Sequence, residues 1–288
     1  MLDFIYNARS GGGKGKRAME TIAAELNRIG VKFRNFVTKA QKHAIELAKK
    51  LTREGATDII AVGGDGTINE VLNGIDPQNV RFGIIPAGTG NDFVRSANIP
   101  ESPLKALDVI LHGEAKPTDY MDCSGVRGIN VIGTGIDVDI LERCERSKIL
   151  KGKLQYVASL IISLIKFKFY GFDVLLNGER TSKEALIIAV GNGKMFGGGI
   201  RICPEAEIDD GLMDFVVCNR MKKSRIPSAF MKLMKGKILE QPFTEFQRVE
   251  EVEACFDKKI TVNVDGELYE GLPFAVKLVK GGVKLYRP

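Results

Sequence analysis

Apolar and polar positions fall into two regimes along the chain. Residues 2–6 form a short apolar run, the length of a buried strand. Met19, Ile22, Ala23, Leu26 and Ile29 then recur at helical spacing until Gly30 stops them. Residues 31–37 read as a second strand, and Ile45, Leu47, Ala48 and Leu51 mark a second helix ended by Gly55. A third strand at 58–62 is apolar through its centre, as expected of a strand covered on both faces. A helix follows from about Thr67, then a strand at 82–85, then helices near Asp92 and Leu104. This alternation predicts an α/β domain over residues 1–120, with a parallel sheet covered on both faces.

After about Tyr120, strand-like runs succeed one another at 129–132, 173–176, 185–190, 213–218, 249–256, 260–264 and 274–278. Asn177-Gly178 and Asp265-Gly266 are hairpin turn signals. Two helical segments, about 137–168 and 223–238, interrupt the strands. Residues 121–280 are therefore expected to form a mainly antiparallel β domain, with a tail at 281–288 that packs back on the first domain. No internal repeat, low-complexity tract or disordered linker separates the halves.

Composition narrows the function. With 288 residues, 44% of them hydrophobic and 27% charged, the chain has a globular balance. Its 32 glycines cluster in short runs beside strands, so they are expected to serve as turns. The net charge of +6 favours anionic partners without choosing among them. The longest apolar helical stretch, 154–165, has twelve residues against the roughly 20 a spanning helix needs, so no transmembrane segment is expected. The N-terminus lacks a signal-peptide layout. The five cysteines (Cys123, Cys144, Cys203, Cys218, Cys255) are far apart and form no C-x-x-C pair. They are expected to be reduced core residues of a cytosolic protein, not zinc ligands or a disulfide scaffold. Two histidines, His43 and His112, argue against a Ser-His-Asp hydrolase or a multi-histidine metal site. With no tryptophan and 7% aromatics, nothing supports nucleic acid as a partner.

Three glycine-rich loops carry candidate chemistry. Val62-Gly63-Gly64-Asp65-Gly66-Thr67-Ile68-Asn69-Glu70 sits where a buried strand turns into a helix. Glycines there let backbone approach a phosphate, and the helix start offers free N–H groups. Asp65 places a carboxylate among those phosphates, which calls for a shared cation such as Mg²⁺. Pro86-Ala87-Gly88-Thr89-Gly90-Asn91-Asp92-Phe93 repeats the logic after the next strand. If the two strands are neighbours, Asp92 falls near Asp65, and the pair suggests a metal-assisted phosphoryl site. The third loop follows the first strand: Asn7-Ala8-Arg9-Ser10-Gly11-Gly12-Gly13-Lys14-Gly15-Lys16-Arg17. It fits neither G-x-x-x-x-G-K-[ST] nor G-x-G-x-x-G. It reads as a flexible basic loop, either solvated or closing over a triphosphate.

Gly64-Asp65-Gly66-Thr67 with Asn69-Glu70, followed by Gly88-Thr89-Gly90-Asn91-Asp92-Phe93, resembles the diacylglycerol kinase catalytic-domain family. Asn7-x-x-Ser10-Gly11 is similar to that family's N-P-x-S-G opening, with Ala8 in place of proline. Residues 204–214 (PEAEIDDGLMD) and Asn263-Val264-Asp265-Gly266-Glu267 are similar to further family motifs, so the resemblance spans almost the whole chain. It is nearest to the soluble bacterial lipid kinases. The resemblance implies a Rossmann-like N-terminal domain, a C-terminal β-sandwich and a nucleotide cleft between them. It implies that ATP lies against Asn7, Ser10, Gly11, Gly64, Asp65, Gly66, Thr67, Ile68, Asn69 and Glu70, with Thr38 and Thr89 lining the site. Asp65 and Asp92 would hold catalytic Mg²⁺, and Glu267 would be the general base for the lipid hydroxyl. Asp210, with backbone carbonyls of Glu207 and Leu212, would bind a second, structural Mg²⁺. On residues alone, Asp265-Gly266-Glu267 is a hairpin turn and Asp209-Asp210-Gly211 another turn; only the resemblance adds their chemistry.

Two basic clusters bear on where the substrate lies. Arg143, Arg146, Lys148, Lys151, Lys153, Lys166 and Lys168 flank the apolar run 154–165. Arg220, Lys222, Lys223, Arg225, Lys232, Lys235 and Lys237 fall in a stretch with no acidic residue, interleaved with Phe230, Met231, Leu233 and Met234. Either segment reads as an amphipathic helix with its apolar face in the core, or as a contact with an anionic leaflet. The expected function is phosphorylation of a lipid hydroxyl, diacylglycerol giving phosphatidic acid, by a cytoplasmic enzyme at the inner membrane face. Sphingoid bases, ceramide and phosphatidylglycerol are alternative acceptors, and a soluble nicotinamide-nucleotide-type acceptor is a further alternative. A membrane-binding protein without catalysis belongs to another class, and intact Asp65, Asp92 and Glu267 argue against it. A homodimer is a further expectation.

Overall fold

A computed structural model of the chain describes residues 1–146, 163, 169–176 and 178–288. The chain divides into two units. The first comprises Met1–Tyr120, Glu207–Gly211 and Val279–Pro288, and the second Met121–Ala206 and Leu212–Leu278.

The first unit alternates β1 (Leu2–Tyr6), α1 (Ser10–Arg28), β2 (Phe33–Val37), α2 (His43–Arg53), β3 (Asp58–Gly63), α3 (Asp65–Gly74), β4 (Arg81–Pro86), α4 (Asp92–Ser96) and α5 (Pro103–His112). Its strands are parallel in the order β4-β3-β1-β2. The register sets Tyr6 beside Val37 and Val62, and Gly63 beside Pro86. From β1 the chain steps one way to β2, then the other way to β3 and β4. Right-handed crossovers then put α1 on one face and α2 and α3 on the other. In accord with that, α1 packs against α5 and α2 against α3. The step direction reverses between β1 and β3, so their carboxyl ends form a topological switch point, where open α/β sheets bind ligands. Phe4, Ile5, Ile59, Ile60, Val62 and Phe82 are fully buried in this sheet.

The last strand of the chain, β15 (Phe274–Tyr286), supplies both units. Its Lys284 and Leu285 run parallel to β4 at Arg81 and Phe82. The Tyr286 hydroxyl donates to buried Asp58 at 2.6 Å, and Arg81 Nη2 donates to the same carboxylate at 2.6 Å. The strand β5 (Ala115–Cys123) likewise belongs to both units.

In the second unit the remaining strands are β6 (Val126–Gly128), β7 (Val131–Gly135), β8 (Tyr170–Leu176), β9 (Glu179–Gly191), β10 (Met213–Asn219), β11 (Thr244–Val249), β12 (Glu251–Cys255), β13 (Thr261–Val264) and β14 (Glu267–Glu270). Their pairings are antiparallel. The first half of β9 pairs with β8, and its second half lies between β7 and β10. Strands β9 and β10 are apolar on both sides. Val190, Phe215 and Val217 enter the core enclosed by the strands. Ala189, Val216 and Cys218 enter a second core beneath α6 (Ile136–Arg146) and α7 (Ile226–Met234). That double burial explains their unbroken apolar runs.

Several expectations shift at element ends. The run 249–256 is two strands broken at Glu250, because β11 pairs with β10 whereas β12 pairs with β8 and β15. The run 129–132 breaks before Val131, because the N–H groups of Ile129 and Asn130 turn to the Asp265 carboxylate. Strand β5 and the second half of β15 had no periodic signal. The segment 223–238 is a short 3₁₀ turn at Lys223–Arg225 followed by α7, which stops before Gly236. Of the segment 137–168, only 137–146 and Ser163 fall within the described residues; the apolar run 154–165 otherwise lies outside them, as do Lys148, Lys151, Lys153, Lys166 and Lys168. Cys123, Cys203 and Cys218 are buried free thiols, but Cys255 is exposed at the end of β12 and is not a core residue. Among the described residues no helix is long and apolar enough to cross a membrane.

Candidate active site

The switch point gathers the glycine loops after β1 and β3, and the loop after β4 adjoins them. Asn7 follows β1; its N–H donates to Val62 O at 3.0 Å, and its side-chain Oδ1 accepts the Arg9 N–H at 3.0 Å. The loop after it, expected from its sequence to be flexible and basic, is wound into the start of a helix. Helix α1 begins at Ser10, and Gly11, Gly12 and Gly13 carry φ of 55°, 69° and 92°. Only glycine takes three successive left-handed residues cheaply. They turn the chain within one winding, so that Lys14 and Arg17 reach a recess of about 270 Å³ lined also by Pro86, Gly88, Asn91 and Glu101.

The β3 and β4 loops touch through glycine backbone. A Cβ on Gly88 would fall 2.5 Å from Gly64 Cα, so neither loop tolerates a side chain there. Ser10 Oγ lies beside Gly64 as well. Asn91 (φ 53°) closes the β4 loop by accepting the Gly88 N–H on Oδ1 at 3.0 Å.

Asp65 and Asp92 come together here. Asp65 Oδ1 accepts the Asp92 N–H at 3.0 Å and the Phe93 N–H at 3.4 Å. The Oδ2 atoms of both carboxylates face the same point above Gly90, 2.9 Å and 3.4 Å from where its Cβ would stand. Burial raises the Asp65 pKa, against the lowering effect of the backbone N–H groups of Phe93, Asp92 and Asn91. Among the described residues no lysine or arginine pairs with Asp65, whereas Arg95 Nη1 reaches Asp92 Oδ1 at 3.4 Å. A desolvated carboxylate without a cationic side chain, next to a second carboxylate, is a donor set that suits Mg²⁺ sharing its other positions with phosphate and water.

The other residues named from the sequence lie variously. Gly66 and Thr67 open α3, with Thr67 packed against Gly63. Thr89 is exposed at the tip of the β4 loop, and Thr38 follows β2 with its N–H on Tyr6 O. Three residues of the β3 motif turn away from the loops. The Ile68 side chain is buried and its N–H is donated to Gly64 O. Asn69 is buried and its Oδ1 accepts from Asn73. Glu70 caps α2: its carboxylate accepts the Lys42 N–H at 2.8 Å and the Ala44 N–H at 3.1 Å. Glu207 and Asp210 are exposed and Leu212 is half-buried. Near them Asp119 accepts the N–H groups of Gly211 and Gly281, and Arg287 pairs with Asp209. Among the described residues no cluster of three or more carboxylate, histidine or cysteine side chains has metal-binding geometry.

Glu267 lies in the second unit, half-buried at the start of β14 and opposite Val264. The preceding Asp265-Gly266 turn has φ of 52° and 96°, the two left-handed residues of a type I′ hairpin. Asp265 does more than turn the chain. Its Oδ2 accepts the Ile129 N–H at 2.7 Å, and its Oδ1 accepts those of Asn130 and Val131 at 2.9 Å and 3.0 Å.

Sequence reasoning missed Asp137, at the start of α6. It is buried, its Oδ2 accepts from Asn263 Nδ2 at 3.0 Å, and among the described residues its Oδ1 has no hydrogen-bond partner. It borders an apolar cavity of about 50 Å³ lined by Ile140, Ile187, Phe196, Ala229 and Leu233. The signal was available: Gly133-Thr134-Gly135 before Asp137 is another glycine-rich strand-to-helix junction. Burial raises the Asp137 pKa to about 6, with Asn263 opposing. The folded state therefore holds this proton up to about pH 6, whereas the unfolded chain releases it near 3.8. The neutral form stabilises the fold fully below pH 3.8, and that contribution is lost as pH rises through 6. Asp137→Asn is expected to remove about 3 kcal/mol of this decline. Urea unfolding across that pH range checks it, and an unchanged slope would reject the assignment.

The chain is similar to known proteins along nearly its whole length. Residues 2–123 match the family model described as diacylglycerol kinase catalytic domain. Residues 130–287 match the one described as YegS C-terminal NAD kinase beta sandwich-like domain. Diacylglycerol kinase of Staphylococcus carnosus is 26% identical over 287 residues, covering 99% of this chain and 94% of that protein. Diacylglycerol kinase of Mycobacterium tuberculosis is 28% identical over 292 residues, with the same two coverages. A crystal structure of a diacylglycerol kinase from Bacillus anthracis matches with a TM-score of 0.74 at 21% identity, covering 100% of this chain and 96% of that one.

Proposed function

Because the chain belongs to the diacylglycerol kinase catalytic-domain family and carries the YegS-type β-sandwich, we propose that it transfers the γ-phosphate of ATP, with Mg²⁺, to the free hydroxyl of diacylglycerol. The family makes it a phosphotransferase with an alcohol acceptor, and a lipid kinase. ATP, Mg²⁺ and diacylglycerol as the acceptor are the proposal. The observation that carries it is the pair Asp65 and Asp92, held side by side at the carboxyl ends of adjacent parallel strands.

In this reading the N–H groups and glycine backbone of residues 7–11, 64–67 and 88–89 receive the phosphates, and Lys14 and Arg17 add positive charge nearby. Asp65 and Asp92 hold Mg²⁺, which when bound withdraws charge from the phosphates. Glu267 takes the proton from the lipid hydroxyl as its oxygen forms the new bond to phosphorus and the bond to the ADP oxygen breaks. Ile68, Asn69 and Glu70 support the loops from behind, through the α3 turn and the cap on α2. Asp210 with the carbonyls of Glu207 and Leu212 remains a proposed second Mg²⁺ site. The apolar cavity of the second unit supports an acyl-chain acceptor, although at about 50 Å³ it must widen to take one. Peripheral association with the inner membrane face, as a cytoplasmic enzyme, is the matching location.

The test is phosphate transfer from labelled ATP to a panel of diacylglycerol, sphingosine, ceramide and phosphatidylglycerol in anionic mixed micelles. Asp65→Asn serves as control. Labelled phosphatidic acid, reduced at least about 100-fold in Asp65→Asn, is expected. Label in another lipid would replace the acceptor. Absence of labelled lipid while ATP still binds would overturn the lipid reading in favour of a soluble acceptor.

A further inference from the structure

Helix α7, Ile226–Met234, is apolar almost all round: of its nine residues only Ser228 and Lys232 are polar. Its inner face is accounted for, since Ile226, Ala229, Phe230 and Leu233 line the apolar cavity. Its outer face is not. Met231 and Met234 stand on it one turn apart, 57% and 44% exposed, and are the most exposed large hydrophobic side chains among the described residues of the second unit. A helix that is apolar on both faces buries both against something. The charges around it say what kind of surface suits the outer one. Lys222, Arg225 and Lys235 are exposed, Lys232 is half-buried, and none of the four has an ion-pair partner among the described residues. Arg201, also exposed, packs beside Gly236 at the end of the helix. The cluster as a whole is thinned by pairing. Arg220 is held by Glu184 at 2.8 Å and Lys237 by Glu240 at 3.8 Å, so both are partly neutralised. From the other basic cluster, Arg143 is held in a two-toothed pair by Asp139. Among the described residues, the cations of this segment left without an ion pair are thus Lys222, Arg225, Lys232 and Lys235, next to the exposed methionines in the sequence, with no acidic residue between Asp214 and Glu240.

We infer that the outer face of α7 is the surface by which the protein meets an anionic lipid bilayer, with Met231 and Met234 entering the acyl boundary and Arg201, Lys222, Arg225, Lys232 and Lys235 lying against the headgroups. Unbranched, flexible methionine side chains suit a disordered apolar medium. The cations supply attraction that a neutral leaflet lacks. The inference rests on the lipid-kinase reading, and it makes α7 at once the wall of the apolar cavity and the contact with the membrane that holds the acceptor.

The experiment is co-sedimentation with vesicles of equal phosphatidylglycerol and phosphatidylcholine, and with phosphatidylcholine alone. The full chain is compared with Met231→Ser/Met234→Ser and with Lys232→Gln/Lys235→Gln. The side chains exchanged are at the surface, and thermal melts confirm folding. The methionine pair variant is expected to lower partition into the anionic vesicles by about 10-fold. The lysine pair variant is expected to lower it by about 25-fold, at about 5-fold per charge. Wild type should bind phosphatidylcholine alone at least about 10-fold more weakly. In parallel, phosphorylation of short-chain diacylglycerol free in solution should be equal in all three proteins. If wild type phosphorylates none, the kinase reading fails whatever the vesicles show. Partition of both variants within two-fold of wild type overturns the α7 surface. So does a fall in solution mass from dimer to monomer in the methionine variant, which would assign the face to a second copy of the chain.

Discussion

Glu267→Gln is expected to lower the turnover number for lipid phosphorylation by about 10²–10⁴-fold, the usual contribution of a positioned general base. Glutamine keeps the size and hydrogen-bonding reach of glutamate but cannot accept a proton. The change falls at a half-buried hairpin position whose backbone pairing with Val264 does not depend on the side chain. Folding should therefore persist, and the affinity for a non-hydrolysable ATP analogue, read by calorimetry, should stay within about two-fold. A turnover number within ten-fold of wild type would falsify the assignment of Glu267 as the base and send the search to the other carboxylates.

Asp265→Ala should act on stability first. The Asp265 carboxylate satisfies three backbone N–H groups at 2.7–3.0 Å, two residues before Glu267. Alanine leaves all three without an acceptor in a partly buried place, at about 1 kcal/mol or more each, so the unfolding free energy should fall by about 3–5 kcal/mol. It also loses a residue that tolerates the left-handed turn position at φ 52°. Asp265→Asn keeps that tolerance and the oxygen that serves Asn130 and Val131, and should lose only about 1–2 kcal/mol. Urea denaturation of both variants measures the difference. Equal stability of Asp265→Ala and wild type would mean that water replaces the carboxylate at no cost.

These two residues illustrate where the sequence stops. Asp265-Gly266 is legible as a hairpin turn, because a type I′ turn is a local demand on two residues. That the same Asp265 anchors residues 129–131 is not legible, because those residues lie more than 130 positions away and no local pattern links them. Asp137 escaped for a similar reason. Its isolation is created by strands β7 and β13, which come from distant parts of the chain.

What the sequence determined by itself is the α/β alternation over the first 120 residues, the β character of the rest, and the glycine loops. Each follows from the spacing of apolar positions or from glycine in short runs at strand ends, and so is written in neighbouring residues. Tertiary structure decided the rest. It bent the chain back so that Asp65 and Asp92, 27 residues apart, share one point above Gly90. It turned Glu70 away from the β3 loop and made it the cap of α2, since the unfilled N–H groups of Lys42 and Ala44 come within reach only when α2 packs on α3. It split the run 249–256 between two sets of partners. Hydrogen bonds form only within about 3 Å, and which groups come that close depends on the whole chain path, not on the residues alongside.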